Sequence, residues 1–188
     1  MDMRDQIIAS AQKLVQQRGF NGFSYADVAG EVGIRKASLH YHFPTKTDLG
    51  LAVIETYLAA LEKQLAIIDG KDLRADNKLR AYAALYRVAL SENRMCLFGV
   101  LASEVLTLDQ AMVPQISRFF NRNIDWITEV LSIGKSQQVL TYAGSAADNA
   151  RAILSGLQGA LLLARATRDA STFDRTASLL VTGLTQRR

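Results

Sequence analysis

Between residues 35 and 46 the sequence brings together Arg35, Lys36, Ser38, His40, Tyr41 and Lys46. Guanidinium and ammonium groups donate to guanine edges and to phosphate oxygens, and a serine is small enough to permit close approach to a groove. Upstream, Ser24 and Tyr25 add hydroxyls where a helical pattern begins, and the first N–H groups of a helix also suit phosphate. Together these residues have the chemistry of a surface that meets double-stranded nucleic acid.

Rival chemistries fit less well. His40 and His42 are two residues apart, and on a helix that spacing turns two ligands away from each other, so no metal site is expected. No serine sits in a G-x-S-x-G elbow and no glycine-rich phosphate loop is present. An enzyme is therefore not expected, and no cofactor is implied. The one cysteine, Cys96, follows the polar Ser91–Arg94 stretch. Close to a helix start and to Arg94 it has the setting of a reactive thiol, yet a single cysteine in an apolar helix is also a common small packing group.

The elements that must hold these residues read as helices. Ile7, Ile8, Ala11, Leu14 and Val15 recur at helical spacing up to Gly19. Ser24 with Asp27 marks the start of a second helix that ends at Gly33, and a third runs from about Arg35 to Tyr41. Two short helices around a glycine-containing turn make a helix-turn-helix, with Val28, Val32, Leu39 and Phe43 as its apolar base. Thr45 and Asp48 then cap a long helix to roughly Asp69. Further helices are expected at about 73–91, 96–107, 109–133, 145–167 and 171–186, with breaks at 91–93, Gly134 and Gly144. The fold class is all-α.

The segment G-F-N-G-F-S-Y-A-D-V-A-G-E-V-G-I-R-K-A-S-L-H-Y-H-F-P-T-K-T-D-L resembles the DNA-binding domain of the tetracycline-repressor (TetR/AcrR) family over about residues 4–50. The resemblance implies a DNA-binding domain over residues 1–46 and a ligand-binding and dimerisation domain over residues 47–188. It places Arg35, Lys36, Ser38 and His40 in the major groove and Ser24, Tyr25, Tyr41 and Lys46 on phosphates. His40 stands where the family usually has tyrosine.

The resemblance further implies an effector cavity inside the later helices. Candidate lining residues are Tyr82, Tyr86, Phe98, Leu101, Phe119, Phe120, Trp126 and Leu161, with Cys96 and Glu104 beside them. Glu104 is an acid inside an apolar stretch and needs a partner. Residues 94–118 are similar to the electrophile- and hypochlorite-responsive, NemR-like members, in which a cysteine at this position is implicated in sensing. Those members carry a lysine near position 165, where this chain has Arg165.

The last two helices are the expected homodimer interface. Gly156, Gly159 and Ala160 allow close backbone approach, and Leu157, Leu161, Leu180, Val181 and Leu184 supply apolar area. The resemblance adds a four-helix bundle between protomers and an inverted-repeat operator. The expected function is a repressor that a small molecule of unknown identity releases from its operator. An activator, or a redox or electrophile sensor acting through Cys96, is the alternative.

Bulk properties agree with this reading without deciding it. The chain has 188 residues, 49% hydrophobic and 21% charged, as befits a folded globular protein. Its net charge is +4, but residues 1–50 hold six Lys/Arg against five Asp/Glu, so charge does not single out the DNA-binding segment. The most apolar stretch, 152–164, is too short to span a bilayer. The N-terminus lacks the basic start and apolar centre of a signal peptide. The expected location is cytoplasmic, with no membrane partner.

Overall fold

The computed structural model describes residues 2–185. Within them the chain forms helices α1 (Met3–Arg18), α2 (Tyr25–Val32), α3 (Lys36–His42), α4 (Lys46–Asp69), α5 (Ala75–Ser91), α6 (Leu97–Ser103), α7 (Val113–Ser136), α8 (Ala146–Thr167) and α9 (Ala170–Thr182). The all-α reading holds. Among the described residues no helix is long and apolar enough to cross a membrane.

By their contacts these helices divide into two compact units. One comprises the chain to Glu62 together with Cys96–Phe119; the other comprises Lys63–Met95 and the chain from Phe120. The first unit thus joins the three N-terminal helices to much of α4 and to α6. A three-helix segment of this length buries too little apolar surface by itself. Leu49, Val53 and Ile54 of α4 and Leu97, Phe98 and Leu101 of α6 are all buried and enlarge its core.

The capping expectations at the N-terminus hold. Ser24 and Asp27 form a reciprocal capping box at the start of α2. Gly33 ends α2 in the left-handed conformation, at φ 77°. Thr45 and Asp48 exchange the expected hydrogen bonds at the start of α4.

Several boundaries differ. The helix expected from 109 begins at Val113, because Asp109 accepts the Ala111 and Met112 N–H groups in a tight turn. The helix expected over 96–107 stops at Ser103, because the Thr107 backbone N–H and hydroxyl both donate to the Glu104 carbonyl and bend the chain. The break expected at Gly134 is absent, and α7 continues to Ser136. There the side chains of Leu140 and Ala75 occupy the space a Cβ would need, so this glycine serves packing within a helix.

In the second unit α8 and α9 pack on each other and on α5. Their inner faces supply Leu154, Leu157, Leu161, Ala164, Phe173 and Val181, all buried within one protomer. The last helix, expected to reach 186, ends at Thr182 with Gly183 as its C-cap, and residue 186 lies outside the described residues.

Candidate nucleic-acid interface

Helix α3 is held from below and open above. Leu39 is its one buried residue, and Phe43 just beyond the helix is buried as well. Full burial of a leucine side chain is worth about 1.5–3 kcal/mol. This anchoring leaves Arg35, Lys36, Ser38, His40 and Tyr41 exposed. Arg35 is the N-cap of α3 but its side chain makes no capping bond. Tyr41 has 85% of its surface exposed, unusual for an aromatic side chain. His40 rests its ring against Tyr25, centroids 4.7 Å apart, with Nδ1 3.3 Å from the Pro44 carbonyl oxygen.

Three residues expected at ligands are engaged inside the first unit. The Tyr25 hydroxyl points inward to the Phe43 carbonyl, at 2.8 Å, and the Thr45 carbonyl, at 2.5 Å. Burial, reinforced by the negative charge of Asp48, pushes its pKa up to about 12. Tyr25 thereby clamps the turn between α3 and α4, its hydroxyl bonded to the protein's own backbone.

Lys46 is the second. Its ammonium donates to the Phe23 carbonyl at 2.5 Å and lies 4.3 and 4.9 Å from the ring centres of Phe23 and Phe20. Burial lowers its pKa, against the opposing pull of Glu104 and Asp27. It closes over the turn between α1 and α2 instead of reaching outward.

Glu104 is the third, expected near an effector. Its carboxylate accepts the Phe20 N–H at 2.6 Å and the Asn21 N–H at 3.4 Å. The partner that an acid in an apolar stretch requires is a pair of backbone donors. Ser24 is exposed, as expected, though its hydroxyl serves Asp27 at 2.6 Å.

The other effector candidates fall into separate clusters. In the first unit Phe98 stacks on Phe119 with centroids 4.0 Å apart, and Tyr57 of α4 touches both rings. Leu101 and Cys96 are buried there too, Cys96 at 3% exposure as the N-cap of α6. In the second unit the Tyr82 hydroxyl donates to Asn123 Oδ1 at 2.6 Å and meets the Tyr86 hydroxyl at 3.0 Å, with Trp126 against the Tyr82 ring. Asn123 and Tyr57 were not among the candidates. Asn123 is fully buried, and its position on α7 next to apolar residues was the one signal that could have pointed to it. Phe120 is half-buried, and Leu161 packs in the protomer's own core.

Of the expected interface residues, Leu157, Ala160, Leu161, Val181 and Leu184 are buried inside the protomer, and Leu180 packs against Gly156. The exposed large apolar residues described on α8 and α9 are Leu162 (61%), Leu163 (57%) and Leu179 (70%), with open space above Gly159.

Comparison with known proteins agrees with this arrangement. Residues 7–53 match the family described as bacterial regulatory proteins, tetR family. A TetR-family transcriptional regulator from Agrobacterium tumefaciens is 34% identical, with a TM-score of 0.94 and 97% of each chain covered. The chain belongs to the TetR family of transcriptional regulators. A TetR regulator from Legionella pneumophila is 31% identical over 98% of each chain, with a TM-score of 0.87. The repressor NemR of Escherichia coli K12 is 24% identical over 176 residues, which is 89% of this chain and 86% of NemR. The segment with the exposed α3 face is therefore the DNA-binding helix-turn-helix of a TetR-family regulator.

Proposed function

We propose that this TetR-family member is a homodimeric repressor that binds an inverted-repeat operator and leaves it when a small effector binds. Residues 1–46 read the DNA, and residues 47–188 serve ligand binding and dimerisation. The observation that carries the reading is the outer face of α3, where Arg35, Lys36, Ser38, His40 and Tyr41 are all exposed. Arg35 and Lys36 meet base edges, Ser38 and His40 line the groove, and Tyr41 with Ser24 meets phosphates. Leu162, Leu163 and Leu179 are the apolar area a second copy covers, with Gly159 allowing close approach. NemR, similar along most of the chain, is named a transcriptional repressor, which supports repression here.

The effector reading rests on Tyr82, Tyr86 and Asn123. Two phenols and an amide brought together in an apolar core are a suitable anchor for one polar group of a mostly apolar molecule. Cys96 is the alternative sensor, but its burial favours packing over reactivity.

Fluorescence-anisotropy titration tests the reading, using the DNA upstream of the protein's own gene and a shuffled duplex at two salt concentrations. Saturable binding that survives moderate salt on the upstream DNA alone is the expected result. Equal, salt-labile binding to both duplexes counts against operator recognition at that site. Deleting the gene should raise expression from the adjacent promoter; a fall would instead make the protein an activator.

A further inference from the structure

Helix α6 lies outside the helix-turn-helix in sequence but inside the same compact unit. Its C-cap residue, Glu104, holds the turn between α1 and α2 through the Phe20 and Asn21 N–H groups. Asn21 adds a second tie, its amide donating to Thr107 Oγ1 at 2.8 Å. The turn is shaped for this carboxylate. Gly19 has φ 90°, and a Cβ there would lie 2.6 Å from Glu104 Oε1. Lys46 closes the turn from the other side over Phe20 and Phe23.

At its other end α6 carries Phe98, stacked on Phe119 and touched by Tyr57. A helix of this length spans roughly 10 Å and is stiff on that scale. One short rod therefore joins an aromatic cluster to the turn from which α2 departs.

We propose that Glu104 is a positioning residue for DNA binding, tying the setting of the helix-turn-helix to the packing of the Tyr57–Phe98–Phe119 cluster. A carboxylate bound to two backbone N–H groups is a directional contact, stronger than a neutral hydrogen bond. A shift of α6 must carry the α1–α2 turn with it or break that contact. Coupling of this kind is reciprocal between the two ends. The consequence for DNA affinity rests on the reading of α3 as the operator-binding surface; the mechanical tie does not.

The experiment is a double-mutant cycle on the full-length protein, read by amide hydrogen exchange. Phe98→Leu loosens the aromatic cluster, and Glu104→Gln keeps the shape but removes the charge that holds the turn. Phe98→Leu alone should speed exchange in residues 25–42 by about fivefold, near the lower end of typical coupling. In the Glu104→Gln background the same change should alter it less than about twofold. Equal acceleration in both backgrounds overturns the proposal, as does no effect of Phe98→Leu in either. Operator titration then gives the consequence: Glu104→Gln should weaken specific binding severalfold with no change in salt slope, since Glu104 touches no phosphate. Failure of the unaltered protein to prefer upstream DNA would count against the operator reading, while the exchange cycle would still decide the tie.

Discussion

The outer face of α3 and the turn between α1 and α2 lie in one compact unit and use similar residue types to opposite ends. On α3 the cationic and hydroxyl groups of Arg35, Lys36, Ser38 and Tyr41 point to solvent. At the turn, Lys46 and Glu104 spend their charges on backbone groups and aromatic rings of the protein itself. Tyr25 does the same with its hydroxyl at the α3–α4 junction. One region is built for a partner and the other to hold that region still. A lysine within a DNA-binding motif is thus not by that fact a DNA contact.

Five substitutions would break or sharpen the comparison. Tyr25→Phe should have the largest effect on stability. It removes the donor shared by the Phe43 and Thr45 carbonyls, the first of them buried, and we expect a loss of about 2 kcal/mol in thermal unfolding near neutral pH. Because the folded-state pKa lies above the ordinary 10, the hydroxyl's contribution is full below pH 10 and fades as pH rises towards 12. The gap between the unaltered protein and the variant should narrow over that interval. A gap constant with pH would mean that the hydroxyl is not held as described.

Arg35→Ala and Lys36→Ala should leave stability almost unchanged and cost about 1–3 kcal/mol of discrimination between operator and shuffled DNA. Equal losses on both duplexes would move these residues from bases to phosphates. Gly19→Ala should destabilise the first unit by about 1–3 kcal/mol, since its φ of 90° is a region glycine alone adopts readily. The same variant should speed amide exchange at Phe20 and Asn21.

The smallest effect is the most discriminating. Lys46→Met keeps the apolar stem over Phe20 and Phe23 and removes the charge. With the ammonium on Phe23, the salt slope of DNA binding should not change, and melting should fall by about 1 kcal/mol. A slope reduced by about one ion would place the ammonium on a phosphate when DNA is bound.

For the dimer, Leu162→Glu with Leu179→Glu should give monomers in sedimentation velocity. Leu157→Glu, a change at a residue the sequence pattern favoured, should unfold the protomer instead, because it buries a charge without a partner.

Much of this protein was written locally. Helical periodicity, the Ser24–Asp27 and Thr45–Asp48 caps, Gly33 after α2 and the apolar base around Leu39 and Phe43 depend on residues a few positions apart. They could be read from order alone, and with them the helix-turn-helix and its exposed α3 face. What only the tertiary structure decided was the use of side chains whose partners are distant in the chain. Glu104 meets a turn more than eighty residues before it, Tyr25 reaches past α3, and Leu157 and Leu161 are covered by the protomer itself. An amphipathic pattern shows that a face is buried but not by what, and a charged side chain carries no mark of the group that will neutralise it. Those choices belong to packing, where desolvation makes each polar group take whichever partner the fold brings within reach.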